Sequence, residues 1–351
     1  MFKNAQSGGI CTAIISFLFE SKEIDGAIMC RMNSSDNPSI EGVLIENKDD
    51  LVLCQKSCYT PVDVLSILKQ TKGKSSLAIV GLPCHIQGAT LLKEQLKRFS
   101  NIKYKIGLIC DRTLCRGIQD VFLSYTSDKN VKIHWRKKDF IHKGKYYSYK
   151  NAPIVVVNHL NQIVKKGIMP NYFRFALKDM FTSPRCRVCY DKLNTHADIV
   201  CGDPWGMEDV DWDHGDSVVI TRTPIGEKII EKMMEKDVVS LKEQKNPNVF
   251  ILGQKMDKKA PQTACYSEAI KIIPQSTNSY LLHQNSDSPF SEHDLNKAKT
   301  EILTFIDNEK KDKKELIQIG RNKIFQAKNK RSFTYLFLKK IINKSKKIFK
   351  S

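Results

Sequence analysis

The chain has 351 residues, enough for one large domain or two ordinary ones, and its 41% hydrophobic content supports a core and excludes wholesale disorder. Its formal charge is +19, from 57 Lys and Arg against 38 Asp and Glu, which suggests an anionic partner (a phosphorylated cofactor, an acidic protein, nucleic acid or a lipid surface) or, for the lysine-dense stretch from Lys310, a solvated tail. No run reaches the roughly 18 apolar residues of a membrane span, and the N-terminal MFKNAQSGGI is not a basic segment followed by an apolar one, so a cytoplasmic location is expected.

Strands and helices alternate through the first part. Residues 9–21 carry apolar groups at helical spacing after Ser7-Gly8-Gly9, while 25–30 (DGAIMC) and 42–46 read as strands and 62–70 as a helix. Residues 77–82 (LAIVGL) form a short continuous apolar run that stops at Pro83, which is how a buried parallel strand looks. Residues 86–99 follow as an amphipathic helix with Lys97 and Arg98 in its last turn, then 102–110 as a strand and 117–125 as a helix. This alternation predicts an α/β layer with parallel strands over residues 1–127. Residues 128–276 read as a second, mixed α+β domain. Within it, 132–159 is antiparallel β, 171–181 a helix, 197–201 and 217–221 buried strands, and 226–236 a helix. Residues 277–351 read as a linker and a basic helical tail. In RSFTYLFLKKIINKSKKIFKS, Phe333, Leu336, Phe337, Ile341 and Ile342 recur among lysines at helical spacing, which fits an anionic membrane surface or a partner groove.

The eleven cysteines are many for a chain with no export signal, and in the cytosol clustered thiols point to metal or redox work. Cys186 and Cys189 form a C-x-x-C on a turn, able to grip one iron–sulfur cluster or one zinc, and Arg185 and Arg187 beside them favour the thiolates. Cys84 and Cys110 end or directly follow apolar strands. If those strands are parallel neighbours, both thiols stand on the sheet edge where α/β proteins bind ligands, and Cys84 would lie near a helix N-terminus that favours thiolate. Four such cysteines would complete a 4Fe-4S site. The alternative is that Cys84 and Cys110 are small buried residues. Gln6-Ser7-Gly8-Gly9 opens a helix where backbone amides could meet a phosphate, or is an ordinary helix start. Asp203 and Trp205, in a polar loop after a strand, suit a flavin or heterocyclic substrate, or are a turn with a packed tryptophan.

In order along the chain, these segments resemble the family of coenzyme F420 hydrogenase/dehydrogenase beta subunits. QSGGICTAIISFLFESKEIDGAIM is similar to its opening, Lys56-Ser57-Cys58-Tyr59 to its Gly-Ser-Lys-Tyr element, and GLPCHIQGATLL to its Pro-Cys element. Ile109-Cys110 is similar to its strand-end cysteine, and CRVCYDKLNTHADIVCGDPWG to its Cys-x-x-Cys, Ala-Asp-Ile and Gly-Asp-x-Trp-Gly run. The likeness covers residues 6–236. It implies an oxidoreductase that passes electrons between a 4Fe-4S cluster, FAD and a two-electron carrier such as coenzyme F420. The cluster ligands would be Cys84, Cys110, Cys186 and Cys189. Ser7, Gly8, Gly9 and Thr12 would contact the flavin phosphates, with Ser57, Tyr59, Asp203 and Trp205 lining the same site. It further implies a ferredoxin-like electron-transfer partner supplied separately; nucleic acid is not expected, because the basic residues are not interleaved with a recognisable reading motif. Cys58 stands where the family commonly has a basic residue, and Cys58, Cys115 and Cys201 are thiols beyond the pattern. Two other readings share parts of this pattern: a reductase of a sugar or isoprenoid-type substrate in surface polysaccharide biosynthesis, and a non-catalytic metal-stabilised binding module. No general acid or base is identifiable, so catalytic residues are left unassigned.

Overall fold

The computed structural model describes residues 5, 7–34, 38–138, 140–142, 145–148, 152–160, 162–168, 170–273 and 289–329. The expected linker over 277–288 and the amphipathic tail after 330 lie outside them. The chain runs through α1 (Ile10–Glu20), β1 (Gly26–Met32), β2 (Ile40–Ile45), β3 (Leu77–Gly81), α2 (Pro83–Gln95), β4 (Ile102–Leu108) and α3 (Gly117–Leu123). Then come the short strands β5 (Lys132–His134), β6 (Phe140–His142), β7 (Lys145–Tyr147), β8 (Ile154–Val157) and β9 (Ile163–Ile168), and the helices α4 (Pro170–Phe181) and α5 (Pro184–Arg187). The rest is β10 (Ile199–Gly202), β11 (Val218–Thr221), α6 (Pro224–Glu235), α7 (Pro247–Gly253), α8 (Met256–Lys271), α9 (Glu292–Glu309) and a helix over 313–329.

Six strands make one sheet in the order β11-β10-β4-β3-β1-β2. Its centre is parallel (β1 with β3, β3 with β4, β4 with β10), and each edge strand is antiparallel to its neighbour. The apolar runs of the centre have no polar alternation because both faces are covered. Ala27, Met29, Ala78, Val80, Ile199 and Cys201 face a core made with α1 and α6. Ile28, Ile79 and Val200, one residue out of phase, face a second core with α2. β10 and β11 come from the stretch read as a second domain, yet they complete the first sheet, so the boundary expected near residue 127 does not separate two sheets. A smaller three-stranded sheet, β5-β8-β9, packs Ile133, Trp135, Ile154 and Val156 against α3, α4 and the last helix. Among the described residues no helix is long and apolar enough to cross a membrane.

Two elements differ from the pattern reading. Residues 65–70 form a 3₁₀ helix rather than α. The second helix stops at Gln95 because Leu96 is extended (φ −131°, ψ 108°), so Lys97 and Arg98 sit in a separate 3₁₀ turn.

Carboxylates fasten the sheet. Asp198, the acid of Ala-Asp-Ile, accepts the Lys105 amide at 2.8 Å and the Thr223 hydroxyl at 3.0 Å, tying β10 to β4 and to the start of α6. Asp25, the acid of Asp-Gly, accepts the amides of Ser75 (2.8 Å) and Ser76 (3.1 Å) ahead of β3. Glu23 collects Lys103 Nζ at 2.6 Å, the Tyr104 hydroxyl at 2.7 Å and Lys232 Nζ at 3.3 Å. The Lys103 and Tyr104 donors hold its carboxyl down at about 2, against an ordinary 4.5. A depressed carboxyl contributes stability above its unfolded value and loses it as the pH falls through the folded one. Wild type should therefore lose urea stability between about pH 4.5 and 2 more steeply than Glu23→Gln. Equal slopes for the two proteins would show that the cluster adds nothing.

Candidate functional site

β3 and β4 are parallel neighbours, so the segments that leave their C-terminal ends share one edge. Cys84 is on the first turn of α2, just past β3, and Cys110 lies two residues beyond β4. Asn194 fixes this edge. Fully buried, with φ +57°, it donates from Nδ2 to the carbonyls of Gly81 (3.0 Å) and Leu108 (3.2 Å), the last residues of β3 and β4. Asparagine tolerates that left-handed backbone better than other side chains. The Cys110 amide donates to Lys192 O at 3.0 Å, which draws the C-x-x-C loop onto the same edge.

Cys84, Cys110, Cys186 and Cys189 are thereby close enough to feel one another's charge. Burial first, then Cys186 and Cys189, push the Cys84 thiol up, and burial, Cys186 and Cys84 push Cys110 up strongly. The helix N-terminus expected to favour Cys84 thiolate is outweighed by desolvation and by this crowding. Cys186 Sγ also lies 3.5 Å from the Thr113 hydroxyl. Among the described residues no three His, Cys, Asp or Glu side chains are placed to hold a single metal ion.

Arg187 does not attend the thiols as expected. It is buried and donates from Nη1 to the Tyr266 hydroxyl (2.9 Å) and to Glu301 (2.5 Å), with its guanidinium 5.0 Å from the Tyr266 ring centre. Tyr266 donates in turn to Glu301. The C-x-x-C loop is thus pinned to α8 and α9. Neither α7 nor α8 stood out in the sequence: α8 carries Pro261 internally and buries Lys259 and Thr263, which breaks the apolar stripe.

Beside the four thiols opens a cavity of about 1260 Å³. Cys110 lines it, as do Ser7, Gly9, Thr12, Ser57, Tyr59, Asp203 and Trp205. Gly8 stands back from the wall. Its amide donates to Ser217 Oγ at 3.0 Å, and a Cβ there would meet Ser217 and Gly215 at 2.9–3.1 Å. Gly9, at φ +81°, is the N-cap of α1 and brings no side chain to cap it, and Gly9, Ile10, Cys11 and Thr12 line the cavity. Nine Lys and Arg side chains line the cavity against four Asp and Glu, so it favours an anionic occupant.

Arg136 holds the far wall and was missed in the sequence, where nothing separates it from the other basic residues of its β-rich stretch. It is buried and donates from Nη1 to Asp203 Oδ2 at 2.7 Å. Burial works against its charge, but Tyr59 and Asp203 outweigh it and hold the guanidinium firmly protonated. Trp205 lies 6.0 Å from that guanidinium and 5.3 Å from the Trp212 ring.

A sheet with a large basic cavity at the C-terminal edge of its parallel strands is the arrangement of a ligand-binding α/β protein. Compared with known families, residues 1–69 match the N-terminal model of the coenzyme F420 hydrogenase/dehydrogenase beta subunit, and residues 74–247 match the model of its C terminus. The chain belongs to this family of coenzyme F420 hydrogenase/dehydrogenase beta subunits, a family of oxidoreductases. It is 27% identical to the F subunit of the F420H2 dehydrogenase of Methanosarcina mazei over 73% of this chain and 66% of that one. It is 29% identical to the coenzyme F420-dependent sulfite reductase of Methanocaldococcus jannaschii over 68% of this chain and 36% of that one. The chain therefore spans less than two thirds of the length of these two relatives. A chain of the F420-reducing NiFe hydrogenase complex from Methanosarcina barkeri shares the fold, with a TM-score of 0.59 and 20% identity over 77% of this chain and 88% of that one.

Proposed function

We propose that this chain is a flavin and iron–sulfur oxidoreductase that links a 4Fe-4S cluster, through FAD, to a two-electron carrier such as coenzyme F420. One observation carries the reading: a large cavity is lined by the start of α1 and by Cys110, whose thiol is crowded by Cys186, Cys84 and Cys189. Four thiolates can hold a cluster, each binding a different iron. Cys84 and Cys110, pushed up by burial and by their neighbours, are thiols that would need cationic iron beside them to ionise.

A flavin, when bound, converts between one-electron and two-electron carriers. The residues of this chain receive it. The amides of Gly9 and the first turn of α1 take its phosphates, with Ser7 and Thr12 alongside. Tyr59, Asp203 and Trp205, braced by Arg136, flank the ring system. The basic lining of α8 and its start, Lys255, Lys258 and Lys259, neutralises an anionic second reactant. The cavity exceeds the roughly 300–1,000 Å³ of a site for one drug-sized ligand, which suits a dinucleotide with a second reactant against it. The sheet edge, the cavity and the thiols fit this use together.

The test is the visible spectrum and iron content of anaerobically purified protein. Flavin bands with a broad iron–sulfur shoulder and about four irons per chain are expected, with the iron lost in Cys186→Ser and Cys189→Ser. A colourless, iron-free, zinc-bound protein would establish a binding module instead. Reduction of the bound flavin by reduced deazaflavin then separates an F420-linked enzyme from a reductase of a sugar or isoprenoid substrate.

A further inference from the structure

Cys186 has a neighbour that the function proposed above leaves unused. The Thr113 hydroxyl lies 3.5 Å from Cys186 Sγ, an ordinary separation for a hydrogen bond to the larger sulfur atom, and it is the one hydrogen bond of that hydroxyl among the described residues. Two segments meet to make the contact. Leu114 and Thr182 form an isolated antiparallel bridge. The Leu114 amide donates to Tyr59 O at 2.7 Å and the Cys115 amide to Phe181 O at 2.8 Å. Thr113 stands immediately before that bridge on one segment. Cys186 follows it on the other, in α5, with its amide on Ser183 O at 3.0 Å. Backbone bonds thus place both side chains without help from the contact itself. Thr113 also lines the cavity, as Cys110 does and Cys186 does not, so the contact joins the thiol group to the cavity wall. Cys189 is set differently: its sulfur faces an acceptor, Asp191 O, at 3.7 Å.

We propose that Thr113 is a positioning residue of the redox site: its hydroxyl donates to the Cys186 sulfur and thereby raises the reduction potential of the cluster which that thiolate holds. The inference rests on the cluster reading above and extends it to one side chain. Between a free thiol and a hydroxyl either atom can be the donor. A thiolate bound to iron has lone pairs but no proton, so the bond then runs one way, from Thr113 Oγ1 to Cys186 Sγ. Hydrogen bonds to the sulfurs are among the levers that set a cluster's potential. The sign follows from charge. An added electron makes the sulfurs more negative, and a hydrogen bond strengthens as its acceptor gains charge, so the donor stabilises the reduced state more than the oxidised one. The step it biases is a one-electron exchange in which the flavin loses one electron and the cluster gains it. No bond forms or breaks, and the Thr113 proton stays on its oxygen. A higher cluster potential favours flow from a reduced occupant of the cavity to the thiol group over the reverse.

The experiment takes full-length protein, purified anaerobically, as wild type, Thr113→Val and Thr113→Ser. Iron content and an EPR-monitored redox titration are measured for each. Valine is close to threonine in shape and lacks the hydroxyl, whereas serine keeps the hydroxyl and lacks the methyl. About four irons per chain are expected in all three. The midpoint of Thr113→Val should fall by about a tenfold change in the reduction equilibrium, about 59 mV for one electron, while Thr113→Ser stays with wild type. A midpoint in Thr113→Val equal to that of wild type would overturn the inference. Equal shifts in the two variants would do the same, because the methyl rather than the hydroxyl would then matter. Iron lost from Thr113→Val would make Thr113 a requirement for holding the cluster, not a control on its potential, and overturns it too. Each of these results leaves the proposed function standing. Wild type without iron would overturn that function and this inference together.

Discussion

Gly253→Ala is expected to be among the most damaging single changes in this chain, although it adds one methyl group. A Cβ at position 253 would lie 1.9 Å from the Trp205 carbonyl oxygen, 2.4 Å from its carbon and 2.6 Å from Gly206 Cα. All three are backbone atoms, so no rotamer change relieves the collision. Gly206 answers from the other side: its φ is +84°, and a Cβ there would meet Gly253 Cα at 2.5 Å. The end of α7 and the Asp203–Trp205 loop therefore pack backbone to backbone, and Gln254 locks them by donating to Asp203 O at 2.8 Å. To admit the methyl, the loop must move away, taking Asp203 off Arg136 and Trp205 out of the cavity wall. Overpacking of this kind costs about 1–3 kcal/mol, and more where the backbone must shift. Urea unfolding and, on the function proposed above, flavin titration of Gly253→Ala should show both losses. Gly73→Ala is the comparison: its φ is +85° but nothing lies within 4 Å of the added carbon, so only the left-handed strain of about 1–2 kcal/mol applies, without a change in flavin affinity. Equal costs for the two variants would mean that α7 and the loop are not in close contact.

The parts of this fold that could be read in the sequence are those governed by local burial. β3 is an unbroken apolar run because helices cover both its faces, and from that reading Cys84 and Cys110 would share one edge if β3 and β4 were parallel neighbours, which they are. What local pattern does not carry is long-range pairing. Nothing in IVCG says that it inserts beside β4, across some ninety residues of intervening chain, and only the Asp198 bonds to Lys105 and Thr223 reveal how it is held. The same limit hid the fasteners of the site. Arg136, Asn194 and Arg187 act through partners 67, 86 and 114 positions away, so their neighbours in sequence give no hint of their work. Arg187 is the instructive case: beside two cysteines it reads as an electrostatic aid to thiolates, whereas its charge is spent on Glu301 and Tyr266.

Removing Arg136 is expected to separate the stability of the cavity wall from its capacity to bind. Arg136 and Asp203 are paired at 2.7 Å with side chains only 6% and 18% exposed, so deleting one partner strands the other's charge with little water. Breaking a buried pair in this way costs about 3–5 kcal/mol, and the residual exposure of Asp203 puts Arg136→Met toward the lower end. Replacing both partners with apolar side chains of similar length, Arg136→Met with Asp203→Leu, removes the stranded charge, and such exchanges are commonly neutral or stabilising. The double variant should therefore recover most of the urea stability that the single variant loses, a coupling that a double-mutant cycle reads directly. On the function proposed above, flavin retention should not recover with it. Arg136 braces both Tyr59 and Asp203, and the pair bounds a cavity whose lining is otherwise basic, so the double variant keeps a folded wall and loses its polar grip on the occupant. Recovery of both stability and flavin would make Arg136 a packing element of the fold, and loss of neither in the single variant would show that water, not protein, surrounds the pair.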